Sequence, residues 1–236
     1  MTTLLLVRHG LTAATGHLLS GRTEGVALDE RGLAQATALA ERLRPVELAA
    51  IVTSPVERCV ATAAAIAAGR RPDGGPQPVA VDERLSEVDY GEWTGRPLRE
   101  LVKEPLWRVV QEAPSAVTFP AGESLRAMAA RAGDAVRDGN AAVGPDSTWL
   151  VCTHGDLAKA IVADALSLHL DAFQRIAVDP CSLTVIRYGR GRPLVERVND
   201  TGGSVAGLLA RPGRDGRGRR SQRPTDDSRG HRGRTV

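Results

Sequence analysis

Thr3-Leu4-Leu5-Leu6-Val7-Arg8-His9-Gly10 sets a short apolar run directly against three polar or flexible residues. A run with no polar alternation suits a strand buried on both faces, as in a parallel sheet, and its abrupt polar end marks a loop. Ligands of open α/β sheets collect outside the carboxyl ends of the strands. His9 therefore stands where chemistry is expected, and Gly10 lets backbone and ligand approach closely. Taken alone, an Arg-His-Gly tripeptide recurs by chance, and a strand-end histidine in a polar turn explains it equally well.

Outward from this strand the pattern alternates. Asp29 is placed to N-cap a helix whose Leu33, Ala36, Ala40 and Leu43 fall at helical spacing and which Pro45 stops. Leu48–Thr53 reads as a second strand, and Ser54-Pro55 as an N-cap with proline opening a helix through Ala68. A Gly/Pro loop over residues 69–78 leads to a short strand at Val79–Val81. Residues 85–120 form a mixed segment with helical pieces around Leu98–Gln111. Then come a helix over about 123–140, a strand at Trp149–Cys152, a helix over about 156–168, and strands at Ser182–Arg187 and Leu194–Val198. Strands alternating with helices predict an α/β domain with a mostly parallel sheet covered on both faces.

Three further stretches carry chemistry. In Ser54-Pro55-Val56-Glu57-Arg58-Cys59 a strand runs into a helix N-terminus, whose free N–H groups favour an anion, and Arg58 can add a bidentate fork. A solvated helix arginine fits the same residue. Thr153-His154-Gly155-Asp156 repeats the histidine-glycine pair at another strand end, with Asp156 read as a helix N-cap. Leu85–Gly95 supplies an acid beside aromatic cover. Two His-Gly strand ends and an arginine at a third are hard to reconcile with accident.

With these motifs in order, the chain resembles the histidine phosphatase superfamily, also called phosphoglycerate mutase-like. The resemblance runs from about Leu4 to Val198 through RHG, GRTEGVALDERGLAQA, SPVERCVAT, RLSEVDYGEWTG, FPAGES and THGD. The stretch PLWRVVQEAPSAVTFPAGESL is similar to an actinobacterial branch of phosphomutases and phosphatases. The resemblance implies a three-layer α/β/α fold with about six strands and a small cap segment. It also implies a metal-independent phosphomonoester hydrolase in which His9 is the nucleophile and forms a phosphohistidine. Arg8, Arg58 and a protonated His154 would neutralise the transferring group, and Glu87, its pKa raised by burial, would give and take the proton. Gly21, Arg22 and Gly155 are further candidates to line the substrate or phosphate site. Thr15 stands where the family pattern has Asn, so its hydroxyl is the expected phosphate contact. A phosphomutase using the same residues is the alternative, and a non-catalytic phosphate-binding protein a remoter one. Asp156 would repel a phosphoglycerate carboxylate, which weighs against the glycolytic mutase.

Composition narrows the partners. The 236 residues carry a net charge of +3, but nine Arg and three Asp from Arg211 onward contribute +6, leaving −3 on residues 1–210. A nucleic-acid reading would rest on that tail alone and is not expected. The organisation expected is a histidine phosphatase domain over 1–202 and a basic disordered tail over 203–236. Cys59, Cys152 and Cys181 lack metal or disulfide spacing and read as reduced thiols. No metal or organic cofactor is expected. A small-molecule phosphate ester is the expected partner, with a homodimer left open, no membrane association and a cytoplasmic location.

Overall fold

The computed structural model describes residues 1–202; the basic tail expected over 203–236 lies outside the described residues. Six strands form one mixed sheet, β1 (Thr2–Arg8), β2 (Ala50–Thr53), β3 (Val79–Val81), β4 (Thr148–Thr153), β5 (Leu183–Tyr188) and β6 (Leu194–Asp200), in the order β3-β2-β4-β1-β5-β6. The pairings β3–β2, β2–β4 and β4–β1 are parallel, while β1–β5 and β5–β6 are antiparallel. The expected mostly parallel sheet of about six strands is what the structure shows.

The period-2 geometry of a strand explains why Thr3–Val7 is apolar throughout. Leu4 and Leu6 enter one core with Trp149 and Val151, and Leu5 and Val7 enter the other with Leu150 and Cys152. Helices α1 (Glu30–Leu43) and α2 (Glu57–Ala67) contribute Ala36, Leu39, Ala63 and Ile66 to the second core. Helices α5 (Leu125–Val143) and α6 (Gly155–Ala165) contribute Met128, Leu157 and Ile161 to the first. Each fully buried aliphatic side chain stabilises the fold by about 1.5–3 kcal/mol relative to exposure.

Asp29 caps α1 as expected, its carboxylate accepting from the Gly32 N–H at 2.8 Å. Between β3 and α5 lie short 3₁₀ turns and two short helices, α3 (Leu98–Leu101) and α4 (Pro105–Glu112), where Trp93 stacks on Trp107. Because β1 to β4 are all parallel, their carboxyl ends share one edge of the sheet. Three of the sequence motifs sit at adjacent positions there, on β2, β4 and β1.

Candidate active site

Each strand end delivers one polar group to that edge. β1 ends in Arg8 and His9, β2 runs through Ser54 to Arg58 in the first turn of α2, and β4 runs into His154, the residue preceding α6. The solvated alternative for Arg58 is overturned: its residue is 2% exposed. Its Nε donates to His9 Nε2 at 3.1 Å, and its Nη2 donates to the Gly21 carbonyl at 2.7 Å and to His154 Nδ1 at 3.1 Å.

These bonds fix the tautomers. His9 Nδ1 must carry its proton, because its partner at 2.7 Å is the Gly10 carbonyl, an acceptor. The Nε2 lone pair is thereby left on the side of the arginine. Burial and the Arg58 charge hold His9 down at about 3, so the ring is neutral at pH 7, with its Nε2 lone pair engaged by the Arg58 N–H. His154 accepts at Nδ1 and so donates from Nε2 to Ser54 Oγ at 2.8 Å. Burial and the charges nearby keep it well below its ordinary value, so in this geometry it is neutral and not the protonated group expected.

Glu87 comes from the segment after β3. It is 9% exposed, its Oε1 accepts from the Val88 N–H at 3.0 Å, and its Oε2 lies 3.6 Å from His154 Nδ1. Burial first, and the nearby Asp156 carboxylate second, push its pKa up to about 7 against the pull of Arg58. A carboxyl so placed is protonated in about half of the molecules at neutral pH.

Two donors remain unmet. Arg8 anchors Nη1 on the Val178 carbonyl at 2.7 Å, but Arg8 Nε and Arg58 Nη1 are buried with no hydrogen-bond partner among the described residues. An orphaned charged donor costs more than the ~1–3 kcal/mol of a neutral one, and the oxygens of a phosphate would satisfy both. Gly155 lies beside the Arg8 guanidinium, where an added Cβ would stand 3.5 Å from Nε.

Several expectations change in detail. Ser54 does not cap α2, which starts at Glu57 after Val56; its hydroxyl faces His154 instead. Asp156 is not a cap but lies in the first turn of α6, accepting from the Tyr90 hydroxyl at 2.9 Å and standing 3.4 Å from Lys159 Nζ. Gly10 is required by packing more than by a ligand, since a Cβ there would stand 2.7 Å from the Gly32 carbonyl oxygen, and one on Gly32 would collide with that of Leu11. The Thr15 hydroxyl accepts from the Thr12 N–H at 3.1 Å, and so braces the loop that follows His9. Arg22 donates to the Glu87 carbonyl at 2.7 Å and pairs with Glu123 at 3.1 Å. Thr62, which sequence reasoning passed over, accepts from the Gly10 N–H at 3.1 Å; its place four residues after Arg58, on the same helix face, was the available signal.

Residues 4–201 match the histidine phosphatase superfamily (branch 1). The chain is 30% identical over 207 residues to "Phosphoserine phosphatase 1" of Hydrogenobacter thermophilus, covering 85% of this chain and 93% of that protein. It is 31% identical over 217 residues to "Probable phosphoglycerate mutase GpmB" of Cronobacter sakazakii, covering 89% and 96%. Among solved structures, Bacillus stearothermophilus YhfR superposes with a TM-score of 0.77 at 31% identity, over 85% of this chain and 98% of that one.

Proposed function

The chain belongs to the histidine phosphatase superfamily, and from that premise we propose that it is a phosphomonoester hydrolase working through a phosphohistidine on His9. The observation that carries the reading is the neutral His9 ring, its Nε2 facing Arg58, beside two buried arginine donors with no hydrogen-bond partner among the described residues.

In the first step Arg58 turns its Nε–H from His9 Nε2 to a phosphate oxygen, the freed lone pair attacks phosphorus, the ester P–O bond breaks, and the departing alkoxide takes the proton of the Glu87 carboxyl. In the second, Glu87, now a carboxylate, removes a proton from water. The resulting oxygen attacks phosphorus, and the P–N bond returns its electrons to His9. Phosphoryl transfer demands positioning and charge stabilisation above all. Arg8 and Arg58 supply the fixed positive charge, so the scheme runs without a metal. A bound phosphate would draw a proton onto His154 by opposing the factors that depress its pKa. Thr15 serves indirectly, through Thr12, and Gly21 by holding Arg58 with its carbonyl.

The test is product analysis in excess EDTA on a panel of phosphomonoesters that includes phosphoserine, both phosphoglycerates, glycerol 2-phosphate and p-nitrophenyl phosphate. Free phosphate from the wild type and none from His9→Ala is the expected result. An isomerised ester with phosphate conserved makes the protein a phosphomutase instead. Wild-type turnover by His9→Ala overturns the nucleophile.

A further inference from the structure

Phe119-Pro120-Ala121-Gly122-Glu123-Ser124 plays no part in the scheme above, yet it is pressed against the segment that carries Glu87. The Glu123 N–H donates to the Asp89 carbonyl at 2.9 Å, and the Glu92 N–H to the Pro120 carbonyl at 2.9 Å. Neither approach tolerates a side chain in between. A Cβ on Gly91 would collide with the Pro120 carbonyl oxygen, and one on Gly122 with that of Asp89. Gly91 also has φ of +51°, in the left-handed region that favours glycine.

The Glu123 side chain then reaches back over the same segment. Its Oε1 accepts from the Asp89 N–H at 2.8 Å, from Arg131 Nη2 at 2.6 Å and from Arg22 Nη2 at 3.1 Å; its Oε2 accepts from Arg131 Nε at 3.1 Å. The two arginines close on the backbone at and just before Glu87. Arg131 Nη1 donates to the carbonyls of Arg84 at 2.6 Å and Ser86 at 2.7 Å, and its Nη2 to that of Glu87 at 3.2 Å. Arg22 Nε donates to the same Glu87 carbonyl at 2.7 Å.

We propose that Glu123, Arg131 and Arg22 form a positioning clamp for the proton donor, gripping the peptide carbonyls at 84, 86 and 87 so that the Glu87 carboxyl stands at one place in the site. The inference rests on the reading of Glu87 as the acid and base. Residues 86–89 follow a single 3₁₀ turn and belong to no strand, so no ladder satisfies their carbonyls or fixes their path. The Glu87 carboxyl makes one hydrogen bond of its own among the described residues, to the adjacent Val88 N–H, and that bond cannot fix where the backbone lies. Arg131 and Glu123 are mostly buried, 18% and 17% exposed at the side chain. One carboxylate between two guanidiniums also relieves the repulsion between them. None of the three touches the reacting atoms; they act through the Glu87 backbone.

A misplaced acid leaves a distinct signature. In the first step it slows esters whose leaving oxygen needs a proton and spares those whose leaving group departs as a stable anion. The second step, in which Glu87 is the base, is common to every ester, so the signature is read in kcat/KM, which reports steps only up to the first irreversible one. We therefore compare kcat/KM for glycerol 2-phosphate and p-nitrophenyl phosphate in wild type, Glu123→Gln, Arg131→Met, Arg131→Lys, Arg22→Ala and Glu87→Gln. Glu123→Gln and Arg131→Met should lose about 100-fold in kcat/KM on glycerol 2-phosphate, the scale of an ångström's displacement. On p-nitrophenyl phosphate kcat/KM should change only a few-fold. Arg131→Lys should recover part of the loss, and Arg22→Ala should show a smaller loss with the same selectivity. Equal losses on both esters, or none in folded variants, overturn the clamp. Arg22 is partly exposed, at 44% of its side chain, so Arg22→Ala decides the matter should the other variants fail to fold. Glu87→Gln separates the two ideas: no ester selectivity there removes the acid assignment itself. Selectivity in Glu87→Gln alone removes only the clamp.

Discussion

Replacing Glu87 by Gln should lower kcat/KM for glycerol 2-phosphate far more than for p-nitrophenyl phosphate and, at alkaline pH, make the protein more stable. Burial raises the carboxyl from its ordinary 4.5 to about 7 in the fold. A raised folded pKa means that the group's contribution to stability is intact below 4.5 and is lost as the pH climbs through 7. The gap between those values, at 1.36 kcal/mol per pH unit, makes ionised Glu87 cost the native state about 3 kcal/mol at about pH 9. Gln is neutral, nearly isosteric, and keeps an oxygen for the Val88 N–H, so it escapes that cost without opening a cavity. The assay is urea unfolding of both proteins at about pH 4.5 and about pH 9. Near pH 4.5 the two should differ little. At pH 9 the variant should gain about 3 kcal/mol, or roughly 1.5 M in urea midpoint for an m-value of about 2 kcal/mol/M. The same difference at both pH values would refute the reasoning, because it would mean that Glu87 is not held above its ordinary range.

Two other perturbations probe the same frame. Asp156→Asn removes the carboxylate that is the second cause of the raised Glu87 pKa, so the alkaline limb of kcat/KM for glycerol 2-phosphate should move to lower pH; a profile over pH 6–9 that stays in place or moves upward contradicts this. Gly32→Ala drives a methyl group into the Leu11 carbonyl and should cost about 3 kcal/mol by overpacking, read as a lowered urea midpoint; a change under about 0.5 kcal/mol would mean that the loop after His9 yields easily.

What the sequence disclosed, and what it withheld, follow from how far each constraint acts along the chain. The strands were legible because burial on both faces demands a continuous apolar run, and Thr3–Val7 meets that demand residue by residue. His9 and His154 were legible because each ends such a run. The environment of Arg58 was not settled by composition, since an arginine in a helix is usually solvated. Its burial depends on Gly21 and His154, which are 37 and 96 residues away in the chain. Ser54 preceding a proline looked like a helix cap for the same local reason, and only the neighbouring strand end turned its hydroxyl to His154. Gly10 read as a residue that lets a ligand approach, whereas its constraint is a contact with the backbone of Gly32 in α1.

Glu87 shows a deeper version of the same limit. His9 and His154 sit directly at the ends of paired strands, where the sheet's own hydrogen bonds fix them. Glu87 sits on a segment without such bonds, and a residue type suited to proton transfer cannot place itself. The burial that raises its pKa also makes its position costly once it is ionised, so the segment must be held against a force that favours its moving into water. Arg131, Arg22 and Glu123 provide the holding contacts, from 44, 65 and 36 residues away along the chain. The site therefore needs two kinds of scaffold. In the proposed scheme a parallel sheet aligns the groups that bind and attack phosphorus, and a side-chain network stands in for a sheet where the proton is handled. The first can be inferred from apolar runs, while the second becomes visible only when the glycines and charges of distant motifs are seen to meet.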